Sequence, residues 1–155
     1  MRNILWSGIV VLGFAAAGLP AASGQADDVA ETIEAIRAAV ERFTDVNVAL
    51  AEGYIPDPSG ECVKAGEHGL PPELGHMGIH YMRPDLLGIT ATEPRVDGTG
   101  THTDFMEPAI LLYEPQADGS MVLVGVENLV FARAWQEAGH SEPPSFLGRT
   151  WDYMA

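Results

Sequence analysis

The strongest constraint on the fold is an apolar stripe. From Asp27 onward Val29, Ile33, Ile36, Val40 and Phe43 recur at steps of three and four residues, and Leu50 extends the row. That spacing returns to one side of a 3.6-residue helix, so it predicts a single amphipathic helix of about seven turns. Asp28 with Glu31 suits its N-terminal cap, and Gly53 suits a left-handed stop. Each aliphatic side chain on such a face stabilises by roughly 1.5–3 kcal/mol on burial, before the entropy of ordering is counted. The stripe is there to pack against something.

What it packs against follows from the rest of the chain. Pro56, Pro58, Gly60, Gly66, Gly69, Pro71 and Pro72 exclude long regular structure between residues 54 and 75, which reads as a loop with one helical turn near 71–74. Residues 77–82 alternate Met77, Ile79 and Tyr81 against Gly78, His80 and Met82, and Pro84 ends the run, so a strand is predicted. Residues 95–107 read as loop. A hairpin follows Pro108: strands at 109–114 and 121–126, a turn containing Asp118-Gly119, and pairing that continues through 127–131. Residues 132–138 suit a short helix closed by Gly139. Trp151 and Tyr153 near the end of the chain suit a cover for one end of the core. Strands beside one long helix predict an α+β fold, the helix lying across one face of a small antiparallel sheet.

Residues 1–26 have another character. Arg2 gives a short positive start, residues 4–19 are almost wholly apolar, and Gly24-Gln25-Ala26 offers small residues flanking a cleavage point, the pattern of a secretory signal peptide. Ser7, Gly8, Gly13 and Pro20 interrupt the apolar run, which suits a cleaved leader better than a membrane anchor. The expected product is residues 27–155, a single domain, secreted or periplasmic and free of the membrane. Its length suits one core and is short for two.

Charge narrows the partners. The chain carries 8 basic residues, one of them Arg2 in the expected leader, against 22 acidic ones, for a formal net charge of −14. Nucleic acid and anionic lipid are poor partners for such a surface. With 1 cysteine, Cys62, no disulfide can form within the chain.

The chemistry-bearing residues cluster. His68, His76, His80 and His102 fall close together with Cys62, Met77, Met82 and Met106, and these side-chain types hold copper or zinc. His76 and His80 would chelate from one helical face, but in a strand four residues span about 13 Å, so a shared site needs a bend at Gly75 or Gly78. His80, central in its strand, is the expected anchor. Its competing reading is a histidine that donates a hydrogen bond in a half-buried sheet. Expected companions lie where loops meet strands: His102, Asp104 and Glu107 before the hairpin, and Glu127 in the otherwise apolar run Val124-Gly125-Val126-Glu127-Asn128-Leu129-Val130. A carboxylate there is costly to bury unless it is paired or bound to a cation, and its competing reading is an open strand edge. His68 and His140 suit plain surface positions. The methionines and Cys62 suit core filling.

Other signatures are missing. The sequence has no Gly-x-Ser-x-Gly elbow, no phosphate loop, and no nucleotide or flavin motif. Ala49-Leu50-Ala51-Glu52-Gly53-Tyr54, the Cys62 segment, Met77-Gly78-Ile79-His80-Tyr81, Pro108-Ala109-Ile110-Leu111-Leu112-Tyr113-Glu114 and Leu123-Val124-Gly125-Val126-Glu127 resemble a group of small exported bacterial proteins of unknown function. That resemblance implies export and no particular activity. Three functions stay open: a copper- or zinc-binding protein using His80, Glu107, Glu127, His102 and His76; a metal-free domain that binds a small molecule or protein; and a cofactor-independent enzyme pairing His80 with a carboxylate as acid and base.

Overall fold

The computed structural model describes residues 5–11, 23–64, 66, 72–90 and 98–154. The fold is α+β, as the patterning predicts. Helix α1 spans Ser23–Val40, a 3-10 turn spans Glu41–Thr44, and helix α2 spans Val46–Ala51. The single long helix of the sequence reading is therefore broken, and it begins before Asp28, which lies inside α1 and caps nothing. The break has a local cause. Asp45 adopts an extended backbone and its carboxylate accepts the Asn47 backbone N–H at 2.9 Å, starting a new helix. The 3-10 turn advances the chain by a larger angle per residue than an α-helix, so the stripe shifts phase. Ile36, Val40, Phe43 and Ala49 are buried, while Leu50 stays 46% exposed. Gly53 takes φ of 94°, the stop its residue type favours.

The sheet is built on three strands: β4 (His76–Met82), β5 (Ile110–Pro115) and β6 (Met121–Phe131). β5 lies between the other two, antiparallel to both. Strands β2 (Ile55–Pro56) and β3 (Val63–Lys64) add short pieces to the outer edge of β4, where the sequence reading had only loop. Two residues each is too short for an alternating pattern to register. On the far side of β6 lies β1 (Leu5–Val11), followed by β9 (Asp152–Met154). β1 belongs to the expected leader. Helices α3 (Pro84–Leu87) and α4 (Ala132–Glu137) follow β4 and β6, and a small hairpin pairs β7 (Ser145–Phe146) with β8 (Arg149–Thr150). Among the described residues no helix is long and apolar enough to cross a membrane.

Each face of the sheet carries its own core. Ile36, Val40, Phe43 and Ala49 from the helical layer meet Leu111, Tyr113, Val126, Val130 and Trp151 on one side. Two phenols fasten this side: Tyr113 donates to the Phe43 carbonyl at 2.6 Å and Tyr54 to the Pro108 carbonyl at 2.5 Å. Burial pushes both phenols well above their ordinary pKa, so they remain donors. The opposite side gathers Met82, Leu87, Ala109, Ile110 and Leu112, with Val124 and Leu129 against them. A bulge separates the halves of β6: Tyr113 pairs with Leu123 and Leu112 with Gly125, leaving Val124 as an extra residue. Trp151 is buried, as expected of a terminal cover, whereas Tyr153 is 56% exposed.

Candidate functional site

His80 lies near the middle of β4, on the face away from α1, opposite Leu112 of β5. Leu112 pairs in turn with Gly125 of β6, and Ile110 pairs with Glu127. His80 and Glu127 thus share a face but sit two strands apart, about 9.5 Å across the sheet, and two residues apart along it. Their side chains bridge that gap above β5. His80 Nε2 lies 3.2 Å from Glu127 Oε2, with side chains only 14% and 4% exposed. The apolar neighbours on this face make the medium around the pair poorly polarisable, so each charge depends on the other.

Gly78 shapes the approach to His80. Its φ is 101°, and a Cβ there would stand 2.9 Å from the Tyr113 carbonyl oxygen. Only glycine lets β4 come this close to β5 in that conformation. Behind the strand, the His80 carbonyl accepts the Asp57 N–H at 2.7 Å. The Asp57 carboxylate is held by the Ser59 N–H at 2.9 Å and the Ser59 hydroxyl at 2.6 Å, which fixes its charge near the imidazole.

Burial by itself lowers the pKa of His80. Contact with the Glu127 carboxylate and its negative charge, with smaller help from Asp57 and the Gly78 backbone, outweighs burial and carries the net shift above 6.5. The ring is thus a better proton holder than a free histidine. Its second nitrogen, Nδ1, is buried and makes no hydrogen bond among the described residues.

The other expected ligands have separate engagements. His102 Nε2 donates to the Glu107 carbonyl at 2.6 Å, a bond that assigns the proton to that nitrogen and pins the loop before β5. The Glu107 carboxylate is 53% exposed and faces Arg83 Nη1 at 3.6 Å. Arg83 also grips Asp85 through two contacts of 2.8 and 2.6 Å, which holds the Asp85 carboxyl below its ordinary pKa. His76 is exposed at the start of β4, where it pairs with Lys64. Met82 is buried in the core and Met106 is 41% exposed. Cys62 is a half-buried free thiol. His140 stacks on Trp135 at 3.8 Å beside a cavity of about 420 Å³. His68 lies outside the described residues. Among the described residues no group of three or more His, Cys, Asp or Glu side chains stands close enough to hold a metal ion.

Sequence reasoning missed Asp57 and Arg83. The turn signature Asp57-Pro58-Ser59-Gly60 was visible, but its placement behind His80 depends on the β2–β4 pairing. No family model matches the chain, and neither a curated protein nor a solved structure is significantly similar to it.

Proposed function

We propose that residues 1–26 direct export, that the mature protein works outside the cytoplasm, and that His80 held by Glu127 is its working group, an acid–base pair that needs no cofactor. The observation that carries this reading is the buried 3.2 Å contact between one imidazole and one carboxylate. A carboxylate that engages one ring nitrogen fixes the tautomer and orientation of the other and stabilises the imidazolium once a proton arrives. Nδ1 is buried, so its exchange of a proton with a bound molecule requires the apolar cover of this face to open. The resemblance to small exported bacterial proteins agrees with the location and adds nothing on the reaction.

Copper or zinc binding is the second reading, and one observation favours it. A ligating histidine typically gives its other N–H to a carboxylate, which is the relation of His80 Nε2 to Glu127, and Nδ1 has no hydrogen-bond partner among the described residues. His102, Glu107 and His76 would have to leave their present positions to complete the sphere.

One experiment separates the two. Untagged exported protein is stripped with a chelator and screened against ester, lactone and amide substrates, alongside metal analysis before stripping. Turnover that survives stripping and is lost in His80→Gln supports the acid–base pair. Stoichiometric copper or zinc in the untreated protein, lost in His80→Gln and accompanied by no chelator-resistant turnover, replaces it with the ion-binding reading.

A further inference from the structure

β1 fills a strand-shaped slot. It pairs antiparallel with β6 over seven positions, from Leu5 opposite Phe131 to Val11 opposite Gly125, and with β9 over three. β9 has no other partner in the sheet order, so β1 alone joins it to β6. A leader removed at the membrane would leave this slot vacant. β6 would then present a long, largely apolar edge of unpaired N–H and C=O groups, which folded proteins ordinarily cover.

Gly8 shows what the slot accepts. It lies opposite Asn128, and a Cβ on it would stand 2.6 Å from the Trp151 ring. The indole therefore crosses directly over the backbone of whatever strand sits here. Two buried donors border the same point, Trp151 Nε1 and Asn128 Nδ2, and neither has a hydrogen-bond partner among the described residues. The Asn128 carbonyl oxygen is used, since it accepts the Ala109 N–H at 2.7 Å. Buried donors left without acceptors are costly, so β1 fits the slot in shape but does not satisfy all its chemistry.

We infer that the outer edge of β6, residues 125–131, is a strand-acceptor site, and that in the exported protein it takes an extended apolar segment of another polypeptide with glycine beneath Trp151. This rests on the export reading above. Affinity would come from the backbone ladder along β6, and selectivity from the indole, which excludes a side chain at that one position. The high acidic charge elsewhere on the chain repels a second copy of itself and leaves a foreign strand as the fitting occupant.

The test begins with the mass of the exported protein. A chain still carrying residues 1–26 ends the reading of a cleaved leader, and with it this inference, because β1 is then a resident strand. If the chain begins at Asp27, hydrogen exchange of β6 is followed with and without a peptide of sequence Leu-Trp-Ser-Gly-Ile-Val-Val, flanked by lysines for solubility. The expected result is slowing of the β6 amides by on the order of tenfold or more, and no slowing with the Gly8→Val version of the peptide. Should the mature chain be unfolded alone, the first peptide should restore its near-ultraviolet circular dichroism and the second should not. Equal effects of both peptides, no effect of either, or β6 amides already protected in a peptide-free dimer would each overturn the inference while leaving export standing.

Discussion

The two faces of the central sheet solve different problems with the same strands. The helix face carries no buried charge among the described residues: its buried polar groups include Asn128, the Trp151 indole, and two phenols whose hydroxyls reach backbone carbonyls, Tyr113 to Phe43 and Tyr54 to Pro108. The opposite face accepts a titratable pair, His80 and Glu127, among Ile110, Leu112 and Leu129. The first arrangement stabilises at any pH where the phenols stay protonated. The second ties part of the stability to one proton, which is a poor way to hold a fold together and a good way to keep a reactive group in place.

That contrast breaks first under truncation of the helix face. Phe43 is fully buried, and its ring meets Tyr54 edge-on at 5.1 Å. Phe43→Ala should lower unfolding free energy by about 3–5 kcal/mol, equally at pH 5 and pH 9, read from denaturant titrations at both. A loss that varied with pH would show the two faces to be coupled.

His80→Leu should cost about 3 kcal/mol, because it removes the imidazole from beside a buried Glu127 carboxylate. Glu127→Leu should cost less, since an imidazole without its partner can shed its proton and become neutral. Combining the two substitutions should recover most of the loss, as apolar replacements of a buried ion pair are often neutral or better. A double variant less stable than His80→Leu alone would mean that the pair is structural.

The pH dependence has a definite sign. The folded pKa of His80 lies above its unfolded value, so the pair's contribution is complete below about pH 6.5 and fades as pH rises through the raised folded pKa. The wild-type denaturation midpoint should therefore fall across that alkaline window, and the double variant should lack this fall. The smallest effect is expected at the helix break: Asp45→Ala removes the cap on Asn47 and should cost about 1 kcal/mol in a denaturant titration at neutral pH.

The strands were the most legible part of the sequence. Alternation marked β4, and Pro108 with the Asp118-Gly119 turn marked the β5–β6 hairpin, because period-two patterning and turn chemistry are local properties. The apolar stripe gave the helical layer but not its break, since Asp45-Val46-Asn47 reads as helix interior unless the capping geometry is seen. Glu127 stood out as a carboxylate in an apolar run that needed a partner. It was among the companions expected of His80, but that it rather than His102 or Glu107 reaches the imidazole was beyond reading, because the two sit on strands separated by β5 and their alignment depends on the Val124 bulge. His102 and Glu107 looked like companions of His80 through their place in the chain. The fold instead uses His102 to hold the Glu107 backbone and sets the Glu107 carboxylate near Arg83, a contact made through tertiary structure alone.

The extra residue at Val124 sets which side of the sheet Glu127 faces. Counting on from Leu123 opposite Tyr113, an unbulged hairpin would set Val126 against Ile110 and swing Glu127 to the helical side, away from His80. Parity along one strand thus decides which compartment inherits the ionisable group. An engineer wishing to relocate that acid would find more leverage in adding or removing a single backbone unit than in any exchange of side chains.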